Sequence, residues 1–226
     1  LVTGHTGFKG AWLSLILSEF GAEVHGISLK PEDTRGNFYN IIKLNRKINS
    51  NYINLVDYKK LEKSIEKIQP EIIFHLAAQV EVGVGLTNPY LTFESNTRAT
   101  YTLLEAARLS GVELQSIVIA STDKSYGEYP TDQMPYREDF PLLAKYPYDV
   151  SKACADMIAQ SYATEIFNLP IVVTRFSNIY GPGQLNFSAL FPDVIRSALG
   201  YSVFEPRGNG MQQRVYLYID DVVDLY

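Results

Sequence analysis

Tyr148 and Lys152 stand four residues apart in Tyr148-Asp149-Val150-Ser151-Lys152. On a helix that spacing puts both side chains on one face. A tyrosine titrates near ~10, too high for a base at neutral pH, but a cation held beside it favours the phenolate. The pair is therefore a candidate proton acceptor. Upstream, Ser121-Thr122-Asp123-Lys124 offers a hydroxyl, a carboxyl and an amine in consecutive positions, which is the inventory needed to hold a substrate hydroxyl and move two further protons. With 16 tyrosines in the chain, a Tyr-x-x-x-Lys arises readily by chance. Its weight comes from company: a strand-end Ser-Thr and an upstream glycine loop.

That loop is Thr3-Gly4-His5-Thr6-Gly7-Phe8-Lys9-Gly10. Placed between a strand and a helix, it turns backbone amides and a helix N-terminus outward, a site for a diphosphate. Gly4, Thr6, Gly7, Phe8, Lys9 and Gly10 are the candidate cofactor contacts. The spacing is G-x-x-G-x-x-G rather than the usual G-x-G-x-x-G, and glycines at a strand-to-helix turn also have purely steric uses. The usual dinucleotide fold carries an acid near the end of the second strand for the ribose 2′-hydroxyl. Here that place holds Ser28, Glu32 and Asp33 are not clearly placed to substitute, and Lys30 suits a 2′-phosphate, so NAD and NADP both stay open. Leu55, in Asn54-Leu55-Val56-Asp57, is placed to flank an adenine, while Asp57 doubles as a helix cap. Leu76, Ala77 and Ala78 close the fourth strand with small residues, as a backbone pressed by a cofactor requires.

The positioning elements follow from hydrophobic periodicity. Strand-like apolar runs at 24–28, 72–77, 116–120 and 171–176 alternate with 3.6-periodic stretches at about 9–20, 57–68, 92–109 and 149–167. The alternation predicts βαβ units, hence a parallel, doubly wound sheet with helices on both faces. The start, Leu1-Val2-Thr3, reads as the tail of a strand, and 220–226 breaks off inside a helix, so the chain is expected to be truncated at both ends. Residues 1–180 are read as the cofactor domain and 181–226 as the start of a smaller C-terminal substrate domain. The segment 126–146, rich in Pro and Gly, is expected to be a long functional loop.

Composition excludes several classes. Of 226 residues, 46% are apolar and 20% charged, an ordinary globular balance. The net charge of −5 without a basic block argues against nucleic acid as a partner. No apolar run is long enough for a membrane span, so no membrane association is expected. One cysteine, Cys154, excludes an internal disulfide framework and a cysteine-rich zinc site, and with the lack of a leader it predicts a cytoplasmic protein. His5, His25 and His75 lack metal-ligand spacing, and no metal is expected; His75 reads as a satisfied polar residue at a strand end.

Taken together, Thr-Gly-His-Thr-Gly-Phe-Lys-Gly at 3–10, His-Leu-Ala-Ala-Gln at 75–79, Ser-Thr-Asp-Lys at 121–124, Tyr148 with Lys152, and Phe-Ser-Asn-Ile-Tyr-Gly-Pro at 176–182 resemble the extended short-chain dehydrogenase/reductases. Within them the chain is most similar to the nucleotide-sugar 4,6-dehydratases, and its glycine loop and Thr-Asp-Lys triplet to the CDP-glucose branch. The resemblance implies a Rossmann domain, a bound and recycled NAD, a nucleotide-sugar substrate and a homodimer built on the helices near 92–109 and 149–167. It implies that Tyr148 takes the proton of the sugar 4-hydroxyl, that Lys152 lowers its pKa and holds the nicotinamide ribose, and that Thr122 hydrogen-bonds the same hydroxyl. Asp123 would donate a proton to the departing 6-hydroxyl. Lys124 stands where the dTDP-glucose branch has a glutamate base, and would act as base or stabilise the enolate. Gln79, Thr122, Asn178, Asn186 and Arg214 match positions near the sugar diphosphate.

One stretch departs from the pattern: Gly83 and Gly85 stand where relatives carry a basic and a hydroxyl residue. Two other readings stay open. A 4-epimerase of the same family needs only the Tyr, Lys and Ser/Thr set, and a non-catalytic dinucleotide sensor needs only the fold.

Overall fold

A computed structural model describes residues 1–31, 36–206, 208–211 and 213–226 of the chain. Glu32 and Asp33, weighed above for the ribose, and Gln212, beside Arg214, lie outside the described residues.

Strands β1 (Val2–Thr3), β2 (His25–Ser28), β3 (Asn49–Tyr52), β4 (Ile72–His75), β5 (Ser116–Ala120) and β6 (Ile171–Thr174) form one sheet in the order β3-β2-β1-β4-β5-β6. Every neighbouring pair is parallel. This is the order of the dinucleotide-binding fold, with its switch point between β1 and β4, where a ligand crevice opens at the carboxyl ends of the strands.

Alternation along each strand sorts side chains to two faces. Ile73, Ile117 and Ile119 pack with Leu61 and Ile65 of α3 (Tyr58–Ile68) and Leu103 and Leu104 of α6 (Ala99–Leu109). Val2, Phe74 and Val118 face the other way, onto Ala11 and Leu13 of α1 (Phe8–Glu19) and Tyr39 of α2 (Phe38–Ile41). Both layers are closed, which leaves the strand ends as the place for chemistry.

Local signals account for the helix ends. Asp57 accepts from the Lys60 amide and caps α3. Gly21 follows α1 with φ of 87°, a left-handed value that glycine adopts without strain. The helix expected over 92–109 begins earlier, after α4 (Val82–Thr87). Asn88 caps α5 (Pro89–Phe93) by accepting from Leu91, and a π-turn over Glu94–Arg98 joins α5 to α6. The helix expected over 149–167 is α7 (Pro147–Tyr162), opened by a proline at its first position and ended before Asn168, whose φ is 52°. Beyond the main sheet, β7 (Asn178–Tyr180) pairs in parallel with β8 (Tyr216–Tyr218), with α8 (Leu190–Ala198) between them. After β8, α9 (Ile219–Leu225) returns to the sheet, and its Ile219 and Val223 are buried in the α1 layer. Among the described residues, no helix is long and apolar enough to cross a membrane.

Candidate active site

A cavity of about 700 Å³ opens at the carboxyl ends of β1, β4 and β5. One wall is the glycine loop. Gly4 has φ of 76°, and a Cβ there would lie 2.7 Å from the Ala77 amide nitrogen, so loop and β4 end touch backbone to backbone. A Cβ on Gly10 would strike the Gly4 carbonyl, which locks the start of α1 onto the loop. Gly7 caps α1 with no side chain on its first amides, leaving orphan N–H groups directed at the cavity. A dinucleotide diphosphate fits this chemistry: free amides, a helix N-terminus and no Cβ in the way.

The other predicted cofactor positions divide. Thr6, Phe8, Leu55, Leu76, Ala77 and Ala78 line the cavity. Ser28 lines it too, but its hydroxyl is bonded to the Leu29 carbonyl at 2.9 Å and to Thr6 Oγ1 at 3.0 Å, so it braces the loop. Lys9 reaches the cavity wall, yet its amine donates to the Tyr226 hydroxyl at 3.0 Å, which lies 3.2 Å from Thr174 Oγ1. In this arrangement the Lys9 amine ties α1 to the end of the chain.

The facing wall carries Thr122, Tyr148 and Lys152. Thr122 follows β5 and opens a 3-10 turn over Asp123–Tyr126; its hydroxyl donates to Asp123 Oδ1 at 3.2 Å. Tyr148 and Lys152 share one face of the first turns of α7. Lys152 is 4% exposed, and burial, helped by the Lys9 charge and opposed by Asp156, holds its ammonium down at about 7. Tyr148 is pushed up to about 12 by burial and then by Asp149 and Asp123, with Thr122 pulling the other way. Burial disfavours the charged form of both groups, and at the phenol it is the largest cause of the shift.

Asp123 and Lys124 do not line the cofactor cavity, although Thr122 before them and Tyr148 do. Lys124 is exposed, with its ammonium 5.7 Å from the Tyr148 ring centroid. Gln79 lines the cavity, its side chain accepting from Thr92 at 3.0 Å and donating to the Glu81 carbonyl at 3.0 Å. Asn186 also lines it and accepts from the Ser188 amide at 3.0 Å. Asn178 is turned elsewhere: its amide donates to the Val215 carbonyl at 3.1 Å and stitches β7 to the approach of β8. Arg214 is exposed, donates to its neighbour Gln213, and does not reach the cavity, though its charge is felt at Tyr136 beside Asp123. His75 bonds Thr3 and Thr100 through its two nitrogens, at 2.8 and 2.9 Å, as a satisfied core residue.

Three residues in or around the site went unread in the sequence. Asn96, on the π-turn, accepts from the Gln79 amide and donates to its carbonyl and to Ser151 Oγ on α7; an isolated asparagine in a helical run carries no motif, and only the π-turn aims it. Asp149 was passed over because it lies inside the Tyr-Lys motif. One of its oxygens is shut from solvent with no partner, and burial raises its carboxyl pKa, with Lys124 opposing and Asp123 adding. Arg175, just past β6, makes four side-chain hydrogen bonds. Gly85 has a steric reason: a Cβ there would press to 3.3 Å from the Tyr148 nitrogen, while the position at Gly83 is open.

The family model described as GDP-mannose 4,6 dehydratase matches residues 1–226, the whole chain. The chain belongs to this family. It is 36% identical over 204 residues to CDP-glucose 4,6-dehydratase of Salmonella typhimurium, covering 87% of the chain and 56% of that protein. It is 31% identical over 237 residues to dTDP-D-glucose 4,6-dehydratase of Dictyostelium discoideum, covering 100% of the chain and 54% of that protein. The chain thus spans about half the length of these relatives. Among solved structures, UDP-glucose 4-epimerase of Thermotoga maritima superposes with a TM-score of 0.86 at 28% identity, over 99% of this chain and 70% of that one. The dTDP-glucose 4,6-dehydratase DesIV of Streptomyces venezuelae, with NAD bound, gives 0.85 at 27% identity, over 99% and 69%. Dehydratases and epimerases share this fold, so the choice between them rests on the charged groups around Tyr148.

Proposed function

We propose that this chain carries the cofactor-binding and catalytic part of an NAD-dependent nucleotide-sugar 4,6-dehydratase, most like the CDP-glucose enzyme. The observation that carries the reading is the placement of Asp123, Lys124 and Asp149 near Tyr148, which itself lines the dinucleotide crevice. Residues 1–180 are taken as the cofactor domain and 181–226 as the beginning of the substrate-binding part. The relatives named above act on CDP- and dTDP-glucose, and DesIV binds NAD, which supports a nucleotide-hexose and NAD here.

NAD, when bound, supplies a positively charged acceptor for the hydride of C4 and returns it to C6. Every other step falls to the protein. Gly4, Gly7 and Gly10 bring amides to the diphosphate, and Leu55 and Ala78 wall the cavity around the nucleotide. Tyr148 takes the proton of the 4-hydroxyl, steadied by Thr122. A phenol near 12 needs positive charge beside it to act, and Lys152 in its charged form supplies it from the same helix face. With C4 a ketone, the C5 proton becomes acidic. Lys124 takes it or stabilises the enolate. The 6-hydroxyl leaves as water with a proton from the Asp123–Asp149 pair, of which Asp149 is the carboxyl held above its ordinary range.

Exposed apolar side chains on α5, α6 and α7 support assembly into a homodimer through these helices: Tyr90 is 75% and Met157 62% exposed, and Tyr101 is also open. Sedimentation equilibrium tests this directly.

The functional test is incubation of the intact protein with NAD and a panel of nucleotide-hexoses led by CDP-glucose, in deuterated water, with products read by NMR and mass. A 4-keto-6-deoxy sugar with deuterium at C5 is expected. An intact hexose inverted at C4 without deuterium would replace this reading by the epimerase, which the fold accommodates equally well.

A further inference from the structure

Arg175 lies outside the cavity and touches nothing expected to react, yet it is the most heavily bonded arginine among the described residues. Its Nε and Nη2 grip Asp156 through a two-pronged pair at 2.8 and 3.0 Å. Asp156 is completely buried, one helical turn beyond Lys152 on α7, and Gln160 donates to it as well. The remaining nitrogen, Nη1, donates to the Tyr126 hydroxyl at 2.9 Å and to the Glu138 carbonyl at 3.0 Å. Tyr126 is buried and ends the 3-10 turn that begins at Asp123; its ring stacks on Tyr136 at 4.8 Å, and the Tyr136 hydroxyl donates to the Gly127 carbonyl.

One planar guanidinium therefore joins three pieces of chain: the helix bearing Tyr148 and Lys152, the turn bearing Asp123 and Lys124, and the loop at Glu138. A fork bonded at both ends fixes distance and angle together, which a lysine could not do. Charge-assisted bonds in a buried setting are strong enough to hold a short turn against thermal motion.

We infer that Arg175 is a positioning residue that sets Asp123 and Lys124 against the Tyr148–Lys152 face through Tyr126, and so governs elimination rather than oxidation. The inference rests on the dehydratase reading. It separates two steps: the phenol, the amine and Asp149 are fixed on α7 itself, whereas Lys124 and Asp123, the other carboxyl of the acid pair, arrive on a turn whose anchorage runs through Tyr126.

The test is Tyr126→Phe, which keeps the ring and its stack and removes only the hydroxyl link. In the intact protein with CDP-glucose, cofactor reduction in a single turnover, followed at its near-ultraviolet band, is expected to stay within about twofold of the unaltered protein. Solvent deuterium entry at C5 is expected to fall about tenfold or more, the loss of one hydrogen bond to a charged group. Arg175→Lys, which keeps the charge and loses the fork, should show the same split. A proportional fall in both steps in the two variants means a general structural role and overturns the inference; unchanged rates in both steps overturn it too. If the unaltered protein puts no deuterium at C5 of any substrate it oxidises, the dehydratase reading itself fails and takes the inference with it.

Discussion

The Lys124 ammonium sits 5.7 Å from the centre of the Tyr148 ring, and the next residue along α7, Asp149, keeps one carboxylate oxygen buried without a partner. A cation, a phenol and a carboxyl of raised pKa thus share one corner of the site. The arrangement predicts that Lys124→Met leaves hexose oxidation standing while elimination drops about 10²- to 10⁴-fold, the usual share of a positioned acid or base. Rapid-quench product analysis would show the 4-keto hexose accumulating. A variant that turns over to 4-keto-6-deoxy product at the original rate would remove Lys124 from the mechanism.

Lys152 is nearly enclosed and held at about 7 by burial and by Lys9. Its folded pKa lies below its unfolded value, so between the two the unfolded chain binds more protons and stability rises with pH. Lys152→Met should therefore be inactive yet more stable near neutral pH, by a few kcal/mol at most from a shift of this size at ~1.4 kcal/mol per unit. It should also lose the rise in stability that the unaltered protein shows between about pH 8 and 10. Urea unfolding at those two pH values checks both statements.

The layered sheet was legible because buried parallel strands leave continuous apolar runs, as at Ile72–His75 and Ser116–Ala120, and because helices between them keep their own period. The glycine loop, Thr122, Tyr148 and Lys152 were legible because their spacing is fixed by local geometry, a turn in one case and a helix face in the other. What failed to show was set by tertiary placement. Nothing in the sequence around Lys9 points its amine at Tyr226, more than two hundred residues away, or turns Asn178 toward Val215. The raised phenol pKa is hidden for a related reason: the Tyr148–Lys152 spacing is visible as i, i+4, but the desolvation belongs to the assembled cavity. Asn96 became a site residue through a π-turn, a single extra residue of helix that no periodicity argument resolves at that length.

Gly4 combines a left-handed backbone with contact against Ala77. Gly4→Ala adds strain of about 1–3 kcal/mol for the φ value and pushes β4 away from the loop that holds the diphosphate. The expected outcome is a 10- to 100-fold weaker Kd for NAD, measured by protein fluorescence or calorimetry. Gly21→Ala carries a comparable φ with open space around it and no cofactor nearby; it should cost stability and leave NAD affinity unchanged. Equal losses of affinity in the two variants would show that the loop effect is merely global.

His5 is fully buried between Tyr39 and Tyr52, with ring centroids 5.5 and 6.3 Å away, and neither of its nitrogens has a well-formed hydrogen bond. Burial lowers its pKa to about 4, and His75 falls to about 3 for the same reason. Both folded values lie below the unfolded ~6.5, so the unfolded chain takes up protons first as pH drops. Stability should decline from about pH 6.5 towards 4, at up to ~1.4 kcal/mol per pH unit for each histidine. His5→Phe keeps an aromatic ring in the slot and removes the unpaired nitrogens, so it should be neutral or stabilising by about 1 kcal/mol at pH 7. It should also halve the acid slope over that window. Tm scans of the two proteins from pH 7 to 4.5 decide it: parallel curves would mean that His5 finds a partner in solution and titrates normally.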